Sequence, residues 1–301
     1  MSTTTKAVGA PVRTALPTLS RKRKTKNAIA TVLIWSAFLI AMIPLVWVLF
    51  TVLTRGLSSI LELSWWTTSQ RNIGAFDEGG GAAHAIVGTL IQAAIAALIA
   101  VPIGILAGIL LVEYPGNRLL KPVSFMTDVL TGIPSIVSAL FIYALFITTL
   151  GFNRSGIMVS FALVILMLPV IVRGTEEMLR IVPNELREAS YALGVPRWKT
   201  IMRIVVPTAF TGIVTAVMLG LARIMGETAP LLILVGYTPS INANPFAGEQ
   251  AALPLMINVE RQNPLPAGQD RAWGAALTLI LIVMLLNLGA RYLSRFSGVK
   301  K

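Results

Sequence analysis

The sequence has no cysteine and a single histidine, His84. Disulfides, iron–sulfur clusters and thiol chemistry are excluded, and so is a histidine-rich metal site. Charge is scarce: 13% of the 301 residues are Asp, Glu, Lys or Arg, against about 25% in soluble domains. Acids are the rarer sign, 13 against 25 basic residues, which leaves a formal net charge of +12. Catalytic signatures are missing too: there is no H-E-x-x-H, no G-x-S-x-G, no G-x-x-x-x-G-K-[ST] and no clustered carboxylate site. The chain therefore reads as a non-enzyme with no cofactor or metal of its own. What it has in excess is apolar sequence, 55% of residues with a mean hydropathy of +0.77. A soluble core cannot absorb that share, and the balance fits a protein dissolved mainly in lipid.

Runs of roughly 20 apolar residues mark spanning helices. Six are expected, over 28–53, 85–112, 123–150, 157–172, 206–235 and 272–290. The first is too long for the apolar part of a cleavable signal and lacks a small-residue cleavage pattern, so it reads as a retained anchor. Basic residues divide unevenly between the loops on the two sides: 19 of the 25 on one, five on the other, with Arg223 inside a span. That bias places both termini in the cytoplasm of a multi-pass cell-membrane protein. The same division accounts for the basic run Arg21–Lys26 as a membrane-flanking anchor; without interleaved aromatics it is a poor nucleic-acid patch. The expected fold is all-α with six transmembrane helices. On the outer side, Trp65 and Trp66 suit an interface belt, Gly79–Gly81 a flexible joint, and His84 a solvated or capping position. The stretch 251–257 either lies on the membrane or packs into the bundle.

The segment between the fourth and fifth spans holds the most specific pattern. Pro183 and Asn184 resemble a helix start with Asn184 as cap, and Glu185 falls in the first turn, where the helix dipole favours an acid. Leu186, Ala189 and Leu193 share one face. Gly194 is placed to end the helix in a left-handed cap, and Pro196 discourages continuation. By pattern alone this is a short amphipathic helix outside the membrane, either solvated, lying on lipid, or docked on a partner.

Glu188-Ala189-Ser190, three residues, Gly194, nine residues, then Ile204-Val205-Val206-Pro207 resembles the E-A-A loop of ABC importer permeases, with Ser190 in place of the second alanine and Val206 in place of leucine. In addition, Gly132-Ile-Pro-Ser135, Val182-Pro-Asn-Glu-Leu-Arg-Glu-Ala189 and Arg223-Ile-Met-Gly-Glu-Thr-Ala-Pro-Leu-Leu232 are similar to the phosphate-specific branch of that family. The resemblance covers roughly 83–296 and leaves out the first 27 residues. It implies a division into a basic tail (1–27), a first helix with its outer loop (28–82), a permease core (83–296) and a short C-terminal tail (297–301). It also implies that Glu185, Leu186, Glu188, Ala189, Leu193 and Gly194 couple the chain to an ATPase. The implied partners are a related sister permease, two ATPase subunits that bind the ATP and Mg, and an extracytoplasmic phosphate-binding protein.

Few charges break the apolar spans, and each is expensive there. At about 100° per residue, Gly212, Ala216, Gly220, Arg223, Glu227 and Pro230 fall within an arc of about 80°. Small residues at this spacing admit a neighbouring helix. Arg223 and Glu227 are four apart and can pair; they line a translocation pathway, where Arg223 attracts an anion and Glu227 keeps it from binding too deeply, or they only lock helices together. Asp128 either tunes an inner gate of that pathway or is a helix-terminal acid reaching water. Pro134 and Pro230 remove backbone bonds within spans and serve as kinks for gating or for packing. Gly104 and Gly108 give the second span a similar small face. The expected function is transport of inorganic phosphate by an ATP-driven importer. The alternatives are another oxyanion, such as sulfate, molybdate or phosphonate, or a secondary transporter.

Overall fold

The computed structural model describes residues 21–74 and 76–297. Most of the expected N-terminal tail (1–20) and of the C-terminal tail (298–301) lies outside the described residues. The described residues are helical, without strands, and fall into two compact units that meet between Phe50 and Thr51. The first unit is the bulk of α1 (Arg21–Leu61), whose apolar side chains are exposed over nearly the whole stretch. The basic run Arg21–Lys26, expected as tail, is helical and belongs to α1.

The second unit takes the end of α1 and then α2 (Leu63–Thr67), α3 (Ala83–Glu113), α4 (Leu120–Gly132), α5 (Ser135–Ile142) with a π-helical continuation to Thr149, and α6 (Gly156–Ile181). It continues with α7 (Asn184–Ala192), α8 (Arg197–Thr200), a π-helical stretch Ile201–Val205, α9 (Val206–Met225), α10 (Ala229–Leu234), α11 (Leu253–Glu260) and α12 (Pro266–Ser297). Five helices are long and apolar enough to cross a bilayer, and a sixth crossing is available if α4 and the α5 segment count as one.

α6 is the axis of this unit. Of its most apolar window 61% is buried inside the chain, against 28% for α3, the α9 helix and α12. Small residues explain how the neighbours approach so closely. A Cβ on Gly104 would come 2.7 Å from Ile171 Cγ2, and one on Gly108 would come 2.7 Å from Thr175 Cβ, so both glycines of α3 face α6. On the other flank Ala216 of α9 abuts Gly174, and Gly220 packs on Met167 and Ile171. The small half of the expected stripe thus contacts a helix of the same chain.

Three expectations about the spans need correction. α6 does not stop at 172 but continues to Ile181, because Arg173, Glu176 and Arg180 form ion pairs at helical spacing that sustain the turns beyond the apolar run. The third span is not one helix: Gly132-Ile-Pro134 separates α4 from the α5 segment, with a bend of 109°. The fifth is also broken, since α9 ends at Met225 and α10 begins only at Ala229. Pro134 is the N-cap of α5 and Pro230 sits in the first turn of α10, positions where a missing N–H breaks no bond.

Candidate functional site

At one end of the bundle α7 projects beyond the long helices. Its start is set by Pro183, which takes the N-cap position; Asn184 is the first helical residue, and its Oδ1 accepts a hydrogen bond from Arg187 Nη1 at 3.3 Å instead of capping the helix. Glu185 is in the first turn. The end is as expected. Gly194 has φ +74, its N–H donates to Tyr191 O at 2.9 Å, and Val195 N–H donates to Ser190 O at 3.2 Å, the paired bonds of a left-handed helix stop. Leu193 is the C-cap, one residue beyond the helix proper. Glu185, Leu186, Glu188, Ala189 and Gly194 are all exposed, and Leu193 is 83% exposed. Tyr191 and Trp198 extend the uncovered apolar surface. Ser190 faces the other way: it is 3% exposed and its hydroxyl pairs with that of Thr200 at 2.8 Å.

α7 is tied to the bundle by Arg187, which sequence reasoning missed. Its Nη2 and Nε donate to Glu113 Oε1, the last residue of α3, at 2.6 and 3.1 Å. Nη2 also donates to Leu179 O at 3.0 Å and Nη1 to Val182 O at 2.7 Å, carbonyls at the end of α6. The side chains are 12% and 3% exposed. An isolated acid at the immediate end of a long apolar run was the available signal. Nearby, Asp128 of α4 accepts from Arg173 of α6, which also holds Glu176 at 2.5 Å. Asp128, near the C-terminal end of α4, is bridged to α6 and remains 65% exposed in its side chain, not covered by this chain.

Arg223 and Glu227 lie within the bundle but not along one continuous helix. Arg223 is in the last turn of α9, and Glu227 is in the gap before α10. Their closest atoms, Nε and Oε1, are 4.0 Å apart, a loose ion pair with no hydrogen bond. Arg223 is 45% exposed in its side chain and Glu227 19%. Among the described residues Glu227 is the only polar partner Arg223 has. Glu227 borders a small void with Thr89, Gln92 and Met225, while nearly half of the Arg223 side chain is left uncovered by this chain. The stripe therefore divides: Gly212, Ala216 and Gly220 contact α6, and Arg223 remains available.

The opposite end holds a polar cluster that no spacing announced. His84 Nε2 meets the Tyr237 hydroxyl at 3.1 Å, and that hydroxyl donates to Gln70 Oε1. Gln70 Nε2 donates to Glu260 Oε1 at 2.8 Å, and Arg271 Nε lies 3.2 Å from the same oxygen. Arg271 Nη1 donates to Asp77 O at 2.9 Å. Burial pushes the Tyr237 phenol above its usual range, with Glu260 adding to the effect. His84 is 1% exposed, so it is a core residue rather than a solvated cap. Trp65 leaves the expected interface belt for the core, where its indole N–H donates to Thr278 Oγ1 at 2.8 Å. Within the Gly79–Gly81 joint only Gly81 is tightly packed, against Thr68; Gly79 is exposed, and its carbonyl accepts from Arg271. Residues 251–257 pack into the bundle: Leu253 N–H donates to Thr89 Oγ1 at 2.8 Å, and Gln250 accepts from Gln92 at 3.0 Å.

Comparison with known proteins agrees with this layout. A family model described as binding-protein-dependent transport system inner membrane component matches residues 100–297. Phosphate transport system permease protein PstA 1 of Mycobacterium tuberculosis (strain CDC 1551 / Oshkosh) is 50% identical over 301 residues, covering 100% of this chain and 99% of that protein. The PstA protein of Pasteurella multocida (strain Pm70) is 40% identical over 273 residues, covering 89% and 94%. Among solved structures, a chain of a bacterial alginate ABC transporter, crystallised with its pentasaccharide-bound periplasmic protein, superposes with a TM-score of 0.61 at 16% identity over 92% of this chain and 99% of that one. A chain of the inward-facing MetNI methionine ABC transporter gives 0.55 at 19% identity over 70% and 92%. The two structures establish likeness of fold.

Proposed function

The chain belongs to the family of binding-protein-dependent transport system inner membrane components, and from that premise we propose that it is the permease subunit of an ATP-driven importer of inorganic phosphate. The observation that carries the reading is α7: a short helix outside the bundle, stopped at Gly194, with Leu186, Ala189 and Leu193 uncovered. Such a surface supports docking on a cytoplasmic ATPase subunit, while the identity to phosphate permeases over the whole chain supports the cargo.

The complete importer pairs this chain with a sister permease, PstC. Two PstB subunits bind ATP and Mg and press on the coupling helices, and the binding protein PstS delivers phosphate at the outer face. The α7 end lies in the cytoplasm together with both termini, in keeping with the excess of Lys and Arg on that side. No covalent step occurs on this chain. Arg223 borders the phosphate path and attracts the anion as a fixed cation; Glu227, held at 4.0 Å, offsets it so that phosphate leaves again. Asp128 and its Arg173 bridge stand at the inner mouth, and the breaks at Pro134 and Pro230 are the joints about which α5 and α10 move.

The test is uptake of radiolabelled phosphate by the complete complex in proteoliposomes. Arg223→Ala is expected to assemble normally and to lower uptake about tenfold or more, the scale of one lost charged contact. Parental uptake in a normally assembled Arg223→Ala complex refutes the pathway assignment.

A further inference from the structure

Outside the docking surface, α7 has little holding it to the helices it must move. Its packing is chiefly against α8 and the following π-helical stretch, which are themselves connecting elements. The exception is Arg187. This one guanidinium touches the last residue of α3 and the terminal carbonyls of α6, and it does so out of water, in a contact 3% exposed at Glu113.

We propose that Arg187 is the positioning residue that transmits motion of the coupling helix to α3 and α6, with Glu113 as its anchor. This inference rests on the reading of α7 as the ATPase-docking helix. Three physical points support it. A guanidinium presents several donors in a fixed plane, so a carboxylate on one helix and carbonyls on another are engaged with little freedom left between them. Carbonyls at the end of a helix lack the regular i+4 donor; Arg187 supplies one to Val182 O and adds a second bond to Leu179 O, which already accepts from the Val182 N–H at 3.3 Å. Finally, a buried pair resists separation, because parting leaves a charge without water or partner. A displacement of α7 therefore carries the ends of α3 and α6 with it. α6 is the axis of the bundle and packs against α9, which holds Arg223, so the strut connects the docking surface to the helix that bears the pathway cation.

The experiment uses the complete importer in proteoliposomes and records three quantities: ATPase subunit retained on purification, phosphate-stimulated ATP hydrolysis, and phosphate taken up per ATP. Leu193→Asp tests the docking reading alone and is expected to lose the ATPase subunit; if retention and uptake are unchanged, that reading fails whatever Arg187 does. Arg187→Met is expected to keep the subunit and hydrolysis while phosphate per ATP falls about fivefold or more, the scale of an energetic coupling between sites. Glu113→Gln, which retains the shape and the α6 carbonyl contacts, is expected to show a smaller loss of the same kind. Normal phosphate per ATP in an assembled Arg187→Met complex overturns the proposal. So does an Arg187→Met complex that fails to assemble alongside a fully coupled Glu113→Gln complex, since the contact then serves folding alone.

Discussion

Gly194 offers the sharpest single perturbation, because its surroundings separate backbone from side-chain effects. A Cβ built there meets nothing within 4 Å, so a larger residue has room. The only obstacle is φ +74, the left-handed region. For an alanine that conformation costs about 1–2 kcal/mol; asparagine tolerates it better, and a β-branched valine tolerates it worse. The penalty falls on the two bonds that close the helix, from Gly194 N–H to Tyr191 O and from Val195 N–H to Ser190 O. Opening of that stop should become about 5–30 times more frequent in Gly194→Ala. Hydrogen–deuterium exchange of the amides at 194 and 195, read by mass spectrometry on the assembled complex, measures it directly. Exchange should accelerate in the order Asn, Ala, Val, and phosphate uptake should fall in the same order while membrane insertion is retained. Asparagine performing as badly as valine would refute the conformational argument, because then bulk at the docking surface, not φ, sets the defect.

Gly108→Leu should lower the unfolding free energy by about 1–3 kcal/mol through overpacking against Thr175; an unchanged thermal unfolding profile in detergent would contradict the α3–α6 contact. Ser190→Ala removes the buried bond to Thr200 and should cost about 0.5–1.5 kcal/mol, even though alanine is the usual residue of the motif. Equal stability of the two forms would show that the hydroxyl is passive. The phenol of Tyr237 is raised from 10.0 in the folded chain, so its contribution to stability is complete below pH 10 and is lost as pH rises through the folded value. Absorbance titration should therefore show one tyrosine ionising later than the rest, and Tyr237→Phe should remove that late component.

Much of this architecture is legible from the residues alone, because lipid imposes a simple rule on them. Apolar runs must be helical, and α3 ends at Glu113, one residue past where hydropathy places it, whereas α12 runs on to Ser297, well beyond the expected 290. Gly194 with Pro196 similarly forces the stop of α7. Breaks inside spans are less visible: Gly132-Ile-Pro134 reads as a kink, yet the chain turns through 109° there, and α4 and α5 both pack on α6. Polar contacts across long separations leave no trace in spacing. Glu113 and Arg187 are 74 positions apart, and Gln70 and Glu260 are 190 apart. Each of these residues looks like an ordinary loop or helix-end polar group until folding removes water from both partners. The pairing of Arg223 with Glu227 has the opposite history. Helical spacing promises a close pair, and the helix break at Gly226 loosens it.

The enclosure of α6 has a consequence for how the protein is made. α6 leaves the ribosome before α9 and α10, whose side chains complete its cover, and Met225 follows Ile181 by 44 residues. At about 5–20 residues per second its unfinished flank waits roughly 2–9 s for α9 alone, and longer for α10. During that interval Gly174 and the seam that will receive Ala216 and Gly220 face either lipid or an insertion factor. Biogenesis of this subunit thus has a vulnerable period fixed by chain order, and slowing translation after codon 181 would lengthen it without altering a single residue.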